Sequence, residues 1–441
     1  MDAPRKSSWE KTALKGTLVI IGLAVFLFSA LYVSAFLPRE PIVKHIRQDS
    51  AYILSRGQHP TQRVLGFSST LDGLTDAYMM SEAIPRPTQY TPLRQTILSP
   101  TLKIPSPGTE VATLYYQVNG KQTGAVEYSR YWHGYLVTLR PLLTLFSYRT
   151  AIAINAVLFF LLALTTLYMF YRSGGWFCAG ALLVALLAVG ILAVPFCFQT
   201  STMFYIAFIG VILAALLNRR YEFEKFDWLL FVVLGMLTSF FDFLTIPLLS
   251  LVLPLLYIVI TSLPNKKPAY LWKRVLLVAV CWAGGYIGFW AVKWLLVVLM
   301  QGPSAWQSIW ATILSRSSAS EVPQSRLAAI AINIGNFPLI DRLSGINRLV
   351  VALGGEMLLV ALTGLFFWRK WTTKQRWFRA SLFLFASQAP FIWYLLIANH
   401  SMLNALFTYR LLLVTIFASL LYLEYLLKPT IQEPLLAEGV S

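Results

Sequence analysis

The sequence predicts an all-α protein that crosses a membrane with about 10 spans and has a large extracytoplasmic loop between spans 1 and 2. Hydrophobic residues make up 57% of the 441 residues, and charged residues only 12%, about half the charged share of a soluble domain. Apolar runs recur at lengths close to the roughly 20 residues that cross a hydrocarbon layer. Lysine and arginine cluster in short segments between these runs.

Ten nearly charge-free runs are long enough for a membrane helix. They lie at residues 16–37, 150–171, 176–196, 201–218, 228–246, 248–263, 275–300, 349–368, 380–398 and 411–427. The first run follows several basic residues, as in a signal peptide, but its length favours an uncleaved first span. The three cysteines all lie in apolar runs and have neither metal-ligand nor disulfide spacing.

The basic residues predict the orientation, because lysine and arginine favour cytoplasmic loops. With the N-terminus inside, nearly all basic residues of the short loops fall on the cytoplasmic side, which also explains the net charge of +17 without a nucleic-acid partner. We therefore expect a multi-pass protein of the plasma (inner) membrane with both termini cytoplasmic and an extracytoplasmic active face. The expected parts are a cytoplasmic N-terminus (1–15), the first transmembrane helix (16–37), an extracytoplasmic loop with an acidic motif (38–149), transmembrane helices 2–7 (150–300), a second extracytoplasmic loop (301–348), transmembrane helices 8–10 (349–427) and a cytoplasmic tail (428–441).

The first loop contains helix-like stretches at 42–55 and 72–83. Asn119-Gly120 favours a type I′ turn, which predicts a strand pair around it. If a helix begins at Asp72, then Asp72 and Asp76 lie one turn apart on the same face. Two such carboxylates can divide the work of a general base and a ligand. Alternatively, Asp72 caps the helix and Asp76 is a solvated first-turn acid.

A second stretch of this loop, 127–135, combines aromatic residues with Glu127, Arg130 and His133. Aromatic residues at this depth ordinarily form an interfacial belt. The cationic groups beside them would suit the phosphate of a lipid-linked substrate, so these three residues are candidates for substrate binding.

Ionisable residues inside or near the spans form a third group of candidates, because burying a charge in hydrocarbon is costly. Asp242 and Lys293 lie in the predicted outer halves of their spans, as does Glu356, and His400 and Arg410 lie in the last outer turn. A structural Asp–Lys pair between helices, and a capping or surface role for His400, are the alternatives.

The layout resembles the GT-C superfamily of polyprenyl-phosphate-sugar-dependent glycosyltransferases, which includes protein mannosyltransferases, aminoarabinose transferases and oligosaccharyltransferases. Both the large first loop and a second loop after span 7 match the pattern of that family over nearly the whole chain. The acidic pair departs from it, because Asp72 and Asp76 are separated by three residues and the family's pair is often adjacent or separated by one. Three runs are similar to runs in uncharacterised bacterial membrane proteins of this kind: Leu71-Asp72-Gly73-Leu74-Thr75-Asp76-Ala77, Tyr131-Trp132-His133-Gly134-Tyr135 and Asn399-His400-Ser401.

The resemblance implies hexosyl or pentosyl transfer from a polyprenyl-phosphate-linked sugar to a glycan, lipid or protein acceptor. Asp72 would be the base, and Asp76 would be its helper or a metal ligand. The resemblance does not decide whether a divalent cation is present as a cofactor. Arg130, His133, Lys293, His400 and Arg410 would meet the phosphate, with Glu127 and Asp242 as further substrate-binding residues. The alternatives are a transporter or flippase of a lipid-linked glycan and a non-enzymatic component of a polysaccharide-export system.

Overall fold

The computed structural model of the chain describes residues 3–65, 67–86, 88–106, 108–121, 124–219, 223–264, 266–318, 325–337, 358, 361–368 and 373–427. These residues are predominantly helical, which confirms that the fold is all-α. The helices are α1 (Ala3–Ser34), α2 (Arg39–Gln48), α3 (Ser50–Arg56), α4 (Gly73–Ala83), α5 (Pro92–Leu98), α6 (Glu110–Val118), α7 (Leu136–Leu145), α8 (Tyr148–Ala188), α9 (Phe198–Arg219), α10 (Phe223–Phe241), α11 (Leu249–Ser262), α12 (Pro268–Gln301), α13 (Ser304–Ser317), α14 (Leu327–Gly335), α15 (Lys374–Leu396), α16 (Ala398–Leu403), α17 (Ala405–Thr408) and α18 (Leu412–Leu427).

Several helices are long and apolar enough to cross a membrane, which indicates a multi-pass membrane protein. Within the described residues there are five: Ala13–Ser34, Tyr148–Ala188, Phe198–Asn218, Pro268–Gln301 and Ala405–Leu427. The predicted spans at 228–246 and 248–263 correspond to the shorter apolar helices Phe226–Phe241 and Leu249–Ser262. Most of the predicted span at 349–368, including Glu356, lies outside the described residues. The count of about ten spans stays a prediction.

Helix α8 covers the predicted span 150–171 and the first part of the predicted span 176–196, since it ends at Ala188. Its 41 residues would extend about 60 Å at 1.5 Å per residue, twice the thickness of a hydrocarbon layer. Gly175 interrupts the helix with φ 77° and ψ −169°, a conformation that suits glycine because it has no Cβ. The sequence therefore located the break between these two apolar stretches to within a few residues.

The segment between α1 and α8 consists of short helices and two antiparallel strand pairs. Strand β1 (Thr61–Val64) pairs with β2 (Phe67–Thr70), and β3 (Pro100–Leu102) pairs with β4 (Ala125–Glu127). The predicted helices at 42–55 and 72–83 are confirmed as α2 with α3 and as α4.

The predicted strand pair around Asn119-Gly120 is wrong. Asn119 instead ends α6, where its side-chain Nδ2 donates to Tyr115 O at 2.8 Å, and Gly120 follows with φ 93°. A glycine with positive φ terminates a helix as readily as it turns a hairpin. Strand β4 pairs with β3, which precedes α6, so the pairing is longer in range than the dipeptide suggests.

Trp132 attaches this segment to the apolar helices. Its indole Nε1–H donates to Phe289 O at 2.9 Å, and its ring stacks on the Phe289 ring with centroids 4.6 Å apart. Two residues later, the Gly134 N–H donates to Phe240 O at 2.8 Å. A Cβ on Gly134 would lie 2.2 Å from the Phe240 ring, so this close approach requires glycine. The segment is thereby held against α10 and α12.

Candidate functional site

Asp72 lies where β2 leads into α4. One carboxylate oxygen, Oδ1, accepts the Thr75 N–H at 2.9 Å, and Oδ2 accepts the Thr75 hydroxyl at 2.5 Å, so Asp72 is the N-cap of α4. Only 4% of the residue is exposed, and burial raises the pKa of its carboxyl from 3.8 to about 6. At neutral pH Asp72 is therefore a carboxylate, and it is more basic than a solvated aspartate.

Asp72 lines a polar cavity of about 150 Å³. Polar side chains that share this lining are Thr75, Tyr78, Gln199, Thr245, Arg316, His400 and Asn404. Gln199 Nε2 donates to Thr245 Oγ1 at 2.6 Å, while the buried Gln199 Oε1 has no hydrogen-bond partner within the described residues. The cavity thus brings one carboxylate, one guanidinium and several neutral hydrogen-bonding groups into a space suited to a small polar ligand.

Arg316 and His400 form the cationic part of the cavity. Arg316 Nη1 lies 3.0 Å from His400 Nδ1, and His400 Nε2 lies 3.0 Å from Leu244 O. Because a carbonyl oxygen only accepts, Nε2 carries the imidazole proton and Nδ1 accepts from the guanidinium. Burial, and then the neighbouring Arg316 charge, lowers the pKa of His400 to about 3, so the imidazole is neutral.

An apolar groove of about 440 Å³ adjoins the polar cavity, and Tyr131 and Arg316 line both spaces. Trp282, Tyr286, Trp290 and Trp294 repeat every four residues along α12, so their rings form a ladder on one face of the helix. Within this ladder, Trp282 stacks on Tyr286 with centroids 5.0 Å apart, and Trp290 stacks on Trp294 at 5.2 Å. The groove is thus lined largely by aromatic rings, and Arg316 lies where it adjoins the polar cavity.

Asp76, the other half of the acidic motif, does not line the polar cavity. Its oxygens accept the N–H groups of Phe198 and Gln199 at 3.2 and 3.1 Å, the Tyr148 hydroxyl at 3.2 Å and the Cys197 thiol at 3.2 Å. It thereby satisfies backbone donors at the start of α9, which a helix cannot pair internally. Burial raises the pKa of Asp76 as well.

The three candidates of the aromatic stretch separate in space. Arg130 is exposed, lies over the Tyr128 ring at 5.8 Å and lines the apolar groove. Glu127 accepts from Gln301 Nε2 at 2.5 Å and pairs with Arg94 at 3.7 Å. His133 is buried, with Nδ1 2.7 Å from a Glu82 oxygen and Nε2 2.8 Å from the Tyr128 carbonyl.

Three further candidates form hydrogen bonds that hold parts of the fold together. Lys293 is fully buried and donates to Ile97 O at 2.6 Å at the end of α5. Asp242 accepts the Thr245 N–H at 3.0 Å, next to the cavity, and its Oδ2 has no hydrogen-bond partner in the described parts of the chain. Arg410 donates to Ser69 Oγ and Thr70 O, both at 2.8 Å, and so supports the strand that leads to Asp72.

Of the nine sequence candidates that lie within the described residues, the structure brings Asp72 and His400 into the polar cavity and Arg130 into the adjoining groove. Sequence reasoning missed Arg316 and Gln199. The four-residue aromatic spacing of α12 could have indicated the groove, but Arg316 has no distinguishing pattern around it. As for a divalent cation, no group of three or more His, Cys, Asp or Glu residues able to hold a metal occurs in the described part of the chain.

Comparison of the chain with models of protein families, with curated proteins and with solved structures gives no match.

Proposed function

We propose that this chain is an integral membrane glycosyltransferase that moves a sugar from a polyprenyl-phosphate donor to an acceptor on the extracytoplasmic side of the plasma membrane. One observation carries the proposal: a polar cavity lined by Asp72 continues into an aromatic groove, with Arg316 at their junction. A polyprenyl-phosphate sugar has the same sequence of chemistry, with a polar ring, an anionic phosphate and an apolar chain. The order of the site therefore fits the order of such a ligand.

Asp72 would act as the general base. Its carboxylate takes the proton from an acceptor hydroxyl or amide while the acceptor atom forms its bond to the anomeric carbon of the sugar. The bond between that carbon and the phosphate oxygen breaks, and its electron pair leaves with the lipid phosphate. The raised pKa of Asp72, about 6, supports this role because the group is ionised at neutral pH and a better proton acceptor than an ordinary aspartate.

Arg316 would meet the phosphate. Its planar guanidinium suits phosphate oxygens and would stabilise the charge that develops on the leaving group. Arg130 lines the same groove and adds a second cation near its polar end. The neutral polar groups Gln199 and Thr245 would face the sugar hydroxyls. The acceptor class, whether glycan, lipid or protein, is left open by this arrangement.

The test is an Asp72→Asn variant expressed in cells that lack the wild-type copy, with mass spectrometry of cell-envelope glycans. We expect loss of one sugar at normal protein abundance, since removing a general base ordinarily costs about 10²–10⁴ in rate. The matched control is Asp49→Asn, because Asp49 is a buried aspartate that accepts the Arg149 N–H at 2.8 Å away from the cavity. This control should leave the glycan unchanged.

Two outcomes would contradict the proposal. An unchanged glycan profile in Asp72→Asn cells means that Asp72 is not the base of a sugar transfer. Loss of the whole glycan, rather than of one sugar, indicates transport of a lipid-linked glycan instead.

A further inference from the structure

We propose that His400, in its neutral form, is a positioning residue that aims Arg316 at the phosphate of a prenyl-phosphate ligand. This inference rests on the proposed function only for the kind of ligand that Arg316 meets. It assigns to His400 a role other than the cationic phosphate contact that the sequence suggests.

The imidazole links a fixed backbone atom to the guanidinium. Its Nε2–H donates to Leu244 O at 3.0 Å, and Leu244 has φ 66°, a conformation that non-glycine residues rarely adopt. Its Nδ1 accepts from Arg316 Nη1 at 3.0 Å, and Asn404 Nδ2 lies beside the same nitrogen at 3.2 Å. His400 is 4% exposed, whereas Arg316 is half-buried, so the histidine is the more rigidly held of the two. The Leu244 carbonyl thereby selects the tautomer in which Nδ1 is an acceptor, and the buried ring holds this acceptor beside the guanidinium.

Only a neutral imidazole can do this. A protonated ring would present an N–H to Arg316 in place of a lone pair, and the two cations would repel each other. Since Arg316 Nη1 uses only one of the guanidinium N–H groups for this bond, enough donors remain for two parallel bonds to a phosphate. A free arginine would first have to lose side-chain freedom to bind in this way.

Two substitutions of the histidine separate the roles of its two ring nitrogens. In His400→Asn, the amide oxygen would lie near the position of Nδ1 and keep an acceptor for Arg316, while the bond to Leu244 O is lost. In His400→Gln, the amide nitrogen would lie near the position of Nε2 and keep the donor to Leu244 O, while the acceptor is lost. Only the glutamine variant therefore removes the contact that holds Arg316.

The measurement is the affinity of the full-length purified protein in lipid nanodiscs for farnesyl phosphate, followed by quenching of the tryptophan fluorescence of the groove. We expect the Kd of His400→Asn to stay within about threefold of the wild type. The Kd of His400→Gln should rise at least about tenfold, equivalent to 1.4 kcal/mol. Farnesol has the same chain without the phosphate, and its affinity should be equal in all three proteins.

The control is His45→Gln, because the ring of the half-buried His45 is, like that of His400, hydrogen-bonded to a carbonyl, Leu143 O at 2.9 Å, but lies away from the cavity. This variant should bind like the wild type. Equal affinities of His400→Asn and His400→Gln for farnesyl phosphate, whether both unchanged or both weakened, would overturn the positioning role, as would a parallel loss for farnesol. Absence of saturable farnesyl phosphate binding by the wild type would instead count against the proposed function itself.

Discussion

The two aspartates at the start of α4, Asp72 and Asp76, differ in what surrounds their carboxylates. Asp72 is bonded by one neighbour, Thr75, and borders the polar cavity. Asp76 is bonded by four residues outside α4 and lies on the core side of the helix. Both residues are almost fully buried, at 4% and 1% exposure. Burial alone therefore does not distinguish the two carboxylates, whereas the number of committed donors and the access to the polar cavity do.

The same contrast separates the two central histidines. His133 lies among Glu82, Tyr128 and Tyr135, and its ring nitrogens are both used within this buried cluster. His400 uses one nitrogen for the backbone and offers the other to Arg316 at the cavity. His133 is thus enclosed within the fold, whereas His400 lines the polar cavity.

We expect the largest effect on stability from a substitution of Asp76, which lies on the core side of α4. Replacing Asp76 with alanine leaves the N–H groups of Phe198 and Gln199 without an acceptor at the start of α9. Each buried unpaired donor costs about 1–3 kcal/mol, so the two together should cost about 2–6 kcal/mol of stability. This loss of stability can be measured as a lower thermal midpoint and as a smaller fraction of monodisperse protein in size-exclusion chromatography.

The matched comparison is Asp72→Asn, which should stay folded and inactive. If Asp76→Ala were as stable as the wild type and lost sugar transfer, the division of roles between the two aspartates would be wrong.

Substitution of Asp72, which borders the polar cavity, should have a smaller effect of the opposite sign and increase stability. The folded-state pKa of Asp72 is about 6, against 3.8 for an ordinary aspartate, so its ionisation destabilises the fold as pH rises through this interval. At about 1.4 kcal/mol per pH unit, the loss of stability amounts to about 3 kcal/mol. Asparagine carries no charge, so Asp72→Asn should have a higher thermal midpoint than the wild type above pH 6. The difference should vanish below about pH 3, where the aspartate is protonated in both the folded and the unfolded states.

Thermal midpoints measured across this pH range check the sign. A variant that is less stable than the wild type at neutral pH would show that the charge of Asp72 is compensated by more than the Thr75 bonds.

Local sequence predicted much of this arrangement. The helix-like stretch at 72–83 predicted α4 and its start, and both interpretations of Asp72, as a cap and as a functional group, are compatible with the observed geometry. The apolar runs likewise located the long helices, because the length of a membrane helix is set by a physical thickness.

The contacts that the sequence did not predict depend on tertiary packing. Lys293 appeared as a membrane charge in the sequence, yet it binds Ile97 O from the loop segment 196 residues away. Arg316 reaches His400 across a separation of 84 residues, and nothing local to either residue indicates the contact. The tautomer and charge of His400 depend on the Leu244 carbonyl and on burial, neither of which a sequence pattern records.

The smallest effect expected is on the pH dependence of transfer. The Thr75 hydroxyl bond is the strongest influence that lowers the pKa of Asp72 against its burial. Thr75→Val removes this hydroxyl with little change in volume and keeps the backbone cap at 2.9 Å. Since one hydrogen bond to a charged group is worth about 1.5–3 kcal/mol at most, the pKa of Asp72 should rise by roughly one unit. The acid limb of the pH–rate profile, near pH 6 in the wild type, should therefore move upward by about that amount, because the base must be ionised to act. A limb that stays in place would assign it to another group, and a limb that moves to lower pH would mean that the hydroxyl stabilises the protonated form of Asp72.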